Sequence, residues 1–161
     1  MTTRPHKALF PILRRLSDGT YHSGQDLALE FQLSRASIFN VLNQAEAMGL
    51  ALHAVRGRGY RIPAPVEWLD ETVVANRLGT LSRTFDIRIV DSVGSTNTAL
   101  MEAALAGAAD GTVICAEHQL AGKGRRGRQW HSVLGGSLTF SVLWRFESGL
   151  QSLAGLSLAA G

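Results

Sequence analysis

Through residues 9–48 the apolar positions recur three and four apart, the spacing of helices with one buried face. Ile12, Leu13 and Leu16 predict a short helix over Pro11–Leu16, with the proline at the first position and Asp18-Gly19 as its stop. Ser23 opens a second helix as N-cap, with Asp26 three residues on as in a capping box and Leu27, Ala28 and Phe31 facing inward. Ser34 caps a third helix that runs to Met48 and meets Gly49 at C′; Ile38, Val41, Leu42, Ala45 and Met48 form its buried face. Its other face begins with Arg35, Ser37, Asn40 and Gln44. Ala51–Val55 and Tyr60–Pro63 then flank R-G-R-G, which predicts a β-hairpin tipped by Arg56 and Arg58.

After Pro63-Ala64-Pro65, which suits neither a helix interior nor a central strand, the pattern changes. A helix is expected over Asp70–Leu78, ending at Gly79, followed by a strand over Thr84–Asp91 with Phe85, Ile87 and Ile89 inward. Ser95 caps a helix that stops at Gly107, and T-V-I-C-A-E-H-Q reads as a strand buried on both faces. Gly136–Phe146 contains a further strand in which Leu138, Phe140, Val142 and Trp144 alternate. The apolar stretch Leu150–Gly161 reads as a helix with Ser152 as cap and no covering element after it, so the chain is expected to be cut short. The expected organisation is a winged helix-turn-helix domain over 1–63, a linker over 64–66 and a second domain over 67–161.

Charge sharpens this division. Of the net +3, residues 1–65 hold eight Lys and Arg against four Asp and Glu, whereas 66–161 hold eight against nine. The N-terminal excess of four favours a polyanion as partner. Arg35, Ser37 and Asn40, with Arg56 and Arg58 in the wing, are the candidate DNA contacts. A helical protein-interaction module with a solvated hairpin is the other reading. No run approaches the ~20 apolar residues of a membrane span and no signal peptide is evident, so a cytoplasmic location without a membrane partner is expected. Cys115 reads as a small buried apolar residue, and no metal-ligand spacing occurs.

In the second domain half of the positive charge, four of its eight Lys and Arg, lies in one stretch, A-G-K-G-R-R-G-R-Q-W, from Ala121 to Trp130. Gly122, Gly124 and Gly127 permit close backbone approach while Lys123, Arg125, Arg126 and Arg128 supply cations, which together suit an anion cradle. A solvated basic turn or a patch for nucleic-acid phosphates remains open on the stretch alone. It matches neither a G-x-x-x-x-G-K-[ST] phosphate loop nor a G-x-G-x-x-G dinucleotide turn.

The order of these signals, a winged helix, D-S-x-x-S-T-N at a helix start, a strand ending A-E-x-Q, then A-G-x-G-R-R-G-R-x-W and S-L-x-x-S-V-L-W, resembles the bifunctional biotin–protein ligases that double as biotin operon repressors. The similarity runs along essentially the whole chain. It implies an α+β protein whose winged helix precedes an incomplete class II synthetase-like mixed α/β catalytic domain. By resemblance, Ser95, Thr96, Asn97 and Gln119 hold biotin, and Gly122, Lys123, Gly124, Arg125 and Arg126 close over biotin and the adenylate phosphate. Arg125 carries the catalytic role, and Trp130 matches an aromatic near the adenylate; as residues alone, Ser95 is a helix cap and Trp130 a core anchor. The family usually has arginine at Lys123, and an ammonium lacks the planar two-point contact of a guanidinium. The family's Lys-Trp-Pro-Asn-Asp segment would lie beyond Gly161. The resemblance implies biotin and ATP as ligands, with magnesium expected. Its implied partners are operator DNA, a biotin carrier protein and a second copy as homodimer. A ligand-sensing winged-helix transcription factor without catalysis is the alternative.

Overall fold

The computed structural model describes residues 4–122, 124, 130 and 132–147. Three helices come first: α1 (Leu9–Leu16), α2 (Gly24–Glu30) and α3 (Arg35–Ala47). The hairpin β1 (His53–Val55) and β2 (Gly59–Arg61) follows, antiparallel, with Ala54 opposite Tyr60. Pro11 lies in the first turn of α1 but at its third position, not its first. The tolerance is the same, because the first intrahelical bond begins one residue later, from Ile12 N–H to the Ala8 carbonyl. Ser23 and Ser34 cap α2 and α3 by accepting from Asp26 N–H and Ser37 N–H, each at 3.0 Å. Gly49, at φ +86°, follows α3 as expected.

Two features of this unit had no local signal. The turn between α2 and α3 carries Gln32 at φ +53°, a left-handed conformation in a residue other than glycine. His22 pairs with Tyr60 through two 2.9 Å backbone bonds, adding a bridge to the wing beside β2. Gly59 is required there: at φ +104°, a Cβ would stand 2.0 Å from the His22 carbonyl oxygen.

The buried stripes of the three helices form one apolar core, joined by Leu50 and Ile62. Residues after the prolines also enter it, for Val66 and Trp68 pack against it and Leu134 is buried within it. Trp68 meets Phe10 edge to face at 6.5 Å, and its indole N–H donates to Ser17 Oγ at 2.9 Å.

The second unit begins with α4 (Glu71–Leu78), capped by Asp70 and ended by Gly79 at φ +57°; a 3₁₀ turn, Gly79–Arg83, follows. Among the described residues three strands make the sheet: β3 (Asp86–Val93), β4 (Thr112–Gln119) and β5 (Thr139–Val142). Central β4 runs parallel to β3 and antiparallel to β5. Six successive residues of β4, Thr112–Glu117, are buried, as the unbroken apolar run predicts. Helix α5 (Thr96–Leu105), with Ser95 as N-cap and Gly107 at φ +89°, makes the crossover between the parallel strands. The strand expected over Gly136–Phe146 is confined to β5, and Leu138, Phe140, Val142 and Trp144 remain exposed among the described residues. The expected helix Leu150–Gly161 lies outside the described residues.

Candidate functional site

Strands β3 and β4 run parallel and end at the same edge of the sheet, and α5 starts there. Ser95 accepts from Thr98 N–H at 3.4 Å, the cap the sequence indicated. Thr96 is 3% exposed and acts as a tie across the sheet. Its N–H donates to Gln119 Oε1 at 2.7 Å, its hydroxyl donates to the same oxygen at 3.2 Å, and that hydroxyl lies 2.9 Å from Ser141 Oγ. The N–H of the first residue of α5 is therefore held by Gln119. Asn97 is exposed, and Ser95 is half-buried.

These residues line a groove of about 470 Å³ together with Trp130 and the 138–141 segment. Apolar Leu138 and Phe140 line it together with polar Ser95, Asn97 and Gln119, which suits a ligand with a polar head and an alkyl body. Gly122 lies against two of the groove's lining residues, Trp130 and Gln119. A Cβ there would stand 2.9 Å from Trp130 Cδ1 and 3.1 Å from Gln119 Nε2, so only a glycine lets the backbone lie this close. Trp130 itself is 50% exposed and serves as a wall of the groove, not as an anchor within the core. Gly124 is half-buried; Lys123, Arg125, Arg126 and Arg128 lie outside the described residues.

Nearby titratable groups are set by burial. Glu117, 4% exposed, has its carboxyl pushed up by desolvation, against the pull of the Leu69 N–H it accepts at 2.7 Å and of Arg14. Desolvation lowers His118 and so favours its neutral ring, and it raises the thiol of Cys115, which is buried as the sequence suggested. Among the described residues no cluster of three or more His, Cys, Asp and Glu could hold a metal ion, and no helix is long and apolar enough to cross a membrane.

A second concave surface lies on the winged helix, a cleft of about 630 Å³ between the start of α2, the exposed face of α3 and the wing. Arg35 and Arg56 line it. Asn40 is exposed but outside the cleft, and Ser37 is half-buried with its hydroxyl 2.8 Å from Ser34 Oγ. Arg58 lies over the Tyr21 ring, 5.6 Å from its centroid, with Arg61 stacked on the same ring at 4.9 Å. Sequence reasoning missed Gln25, Phe39 and Tyr60 in this cleft; the signal for Phe39 was an aromatic residue off the buried stripe of α3.

Residues 9–61 match the HTH domain family, and residues 89–159 match the biotin/lipoate A/B protein ligase family. Along most of its length the chain is similar to proteins named bifunctional ligase/repressor BirA. It is 34% identical to that of Salmonella typhimurium over 150 residues, 93% of this chain and 45% of that one. To that of Bacillus subtilis it is 30% identical over 140 residues, 86% and 42% of the two chains. The biotin–[acetyl-CoA-carboxylase] ligase of Mycobacterium tuberculosis is 41% identical over 96 residues, 58% of this chain and 36% of that one. The chain thus spans less than half the length of each of these relatives. With a winged helix at one end and the groove at the start of α5 at the other, the chain joins residues that match the HTH domain family to residues that match the biotin/lipoate A/B protein ligase family.

Proposed function

We propose that the protein is an ATP-dependent biotin–protein ligase that also represses transcription in response to biotin. The observation that carries this reading is the groove at the start of α5, lined by Trp130, where Thr96 and Gln119 hold a helix N-terminus against the sheet. Ser95, Asn97 and Gln119 offer hydroxyl and amide groups to the ureido head of biotin, and Leu138 and Phe140 offer apolar surface to its alkyl chain. In the first step a carboxylate oxygen of biotin attacks the α-phosphorus of ATP, forming biotinyl-5′-AMP as pyrophosphate leaves. The amine of a carrier-protein lysine then attacks the acyl carbon; AMP departs and the new amide nitrogen gives up a proton. Lys123, Gly124, Arg125 and Arg126 are assigned to the phosphate, where fixed cations stabilise charge in the transition state and retain the adenylate afterwards. Arg125 is the residue assigned the catalytic role.

Operator DNA is the partner assigned to the winged helix, with Arg35, Asn40, Arg56 and Arg58 among its contacts; the carrier protein is the partner of the ligase region. A homodimer would match a two-fold operator, and the cytoplasm is the compartment where biotin, ATP, carrier and DNA meet. These 161 residues contain no Lys-Trp-Pro-Asn-Asp segment, so this polypeptide alone is expected to bind ligand without completing the ligase reaction.

Isothermal titration of the chain with biotin and with a non-hydrolysable biotinyl-adenylate analogue tests the groove. Both are expected to bind, the analogue more tightly; heat from neither would sink the reading. Incubation with biotin, ATP, magnesium and a carrier domain should leave the carrier's mass unchanged, and biotinylation above background would show that residues 1–161 already suffice. For the repressor role, Arg56→Ala should flatten the salt dependence of DNA binding by about one unit of slope per lost phosphate contact.

A further inference from the structure

We propose that Phe39 reads thymine, making apolar contact with the 5-methyl group in the major groove of the DNA that the winged helix binds. The inference rests on the DNA-binding reading above and adds to it one residue and one base.

Phe39 is 54% exposed on α3, off the buried stripe of Ile38, Val41, Leu42 and Ala45. It lies one helical turn after Arg35, so the two side chains share a face. Both line the cleft between α3 and the wing, with Ala36 beside them and Arg56 on the opposite wall. None of the residues lining this cleft is acidic, and its two charged members are both cations. A polyanion is therefore the occupant that the charge favours. An apolar ring lining a cationic cleft gains nothing from phosphate, and packing on a sugar would carry no base preference. What it can meet on a duplex is the edge of a base, and the 5-methyl of thymine is the apolar group that B-DNA presents in the major groove. Arg35 and Arg56 hold the backbone or a guanine edge, and Phe39 supplies the contact that distinguishes thymine from cytosine at the facing position. Ser37 is the polar alternative on the same helix turn, but its hydroxyl is engaged by Ser34 and lies outside the cleft.

The test separates the methyl group from everything else in the duplex. The full chain is used to select binders from a randomised duplex library, and the enriched duplex is synthesised once with thymidine and once with deoxyuridine in its place. Wild type is expected to bind the thymidine duplex about three- to five-fold more tightly, the worth of one methyl group removed from water. Phe39→Ala should bind both copies equally, at the level of wild type on the deoxyuridine copy, with unchanged circular dichroism. Phe39→Leu should restore part of the preference, and Arg56→Ala should weaken both copies while keeping their ratio. A wild type indifferent to the methyl group, or a preference that survives in Phe39→Ala, overturns the assignment. A wild type that enriches no duplex even at low salt sinks the DNA-binding reading itself, a result distinct from the other two.

Discussion

The backbone N–H of Thr96 donates to Gln119 Oε1 at 2.7 Å, joining the first turn of α5 to the end of β4. The bond crosses 23 positions of sequence and is nearly dry, since Thr96 is buried. Gln119→Ala would leave that donor and the Thr96 hydroxyl without this acceptor, at a cost of about 1–3 kcal/mol. Thermal melts should show the loss, and calorimetry should show weaker biotin binding because the helix start is no longer fixed. Gln119→Glu keeps an acceptor oxygen and should retain most of the stability. Equal melts for Gln119→Ala and wild type would mean that water replaces the amide at no cost.

The wing offers a contrast between two glycines. Gly59→Ala forces a Cβ to within 2.0 Å of the His22 carbonyl oxygen at φ +104°, so backbone must shift and the His22–Tyr60 bridge must open. A loss of about 2–4 kcal/mol is expected, together with weaker DNA binding as Arg56 moves. Gly57 has a similarly positive φ of +80° but nothing within 4 Å, so Gly57→Ala should cost only the backbone strain, about 1–2 kcal/mol. Urea denaturation of both variants checks the order, and a reversed order would contradict the close approach at Gly59.

Trp68 lies after the two prolines yet packs on Phe10 and donates to Ser17, while Arg14 sits 4.9 Å over its ring and bonds Asp91 of β3 at 2.5 Å. Trp68→Ala should destabilise the winged helix by about 2–4 kcal/mol, read as a fall in the helical circular dichroism midpoint. Asp91→Ala, which removes only an exposed ion pair, should cost less than about 1 kcal/mol. A Trp68→Ala protein as stable as wild type would show that the helical core does not depend on Trp68.

Glu117 gives a pH dependence of known sign. Its folded-state pKa is raised above 4.5, first by desolvation, so the folded chain holds this proton more tightly than the unfolded chain. That contribution is complete below about pH 4.5 and is lost as pH rises through the elevated value. Glu117→Gln keeps an acceptor for the Leu69 N–H and has no such loss. Its stability relative to wild type should therefore grow with pH across this window, measured as the difference in urea midpoints. The difference is the informative quantity because His118, with a lowered pKa, favours the folded state in the opposite direction, as pH rises through the histidine range. Parallel curves for the two proteins would place the Glu117 carboxylate in water.

What the sequence alone determined was whatever depends on groups a few residues apart. Ser23, Ser34 and Ser95 accept from N–H groups three positions on, and Gly49, Gly79 and Gly107 take the positive φ that ends a helix, so all of these were legible as spacing. The buried run of β4 was equally plain, because a strand covered on both faces has no polar alternation to obscure it. The start of α5 was marked by the D-S-x-x-S-T-N segment for the same reason: its residues are neighbours in the chain. The tertiary structure decided how distant pieces share acceptors and space. Local spacing could not say that Thr96 N–H is held by Gln119, that the Ser37 hydroxyl turns to Ser34 and away from the cleft, or that Phe39 stands exposed between two arginines. Nor could it place Trp68 and Leu134 on a helical core that begins at Leu9. Each of these is a competition between partners far apart in sequence, and only the packed chain fixes which of them is within reach.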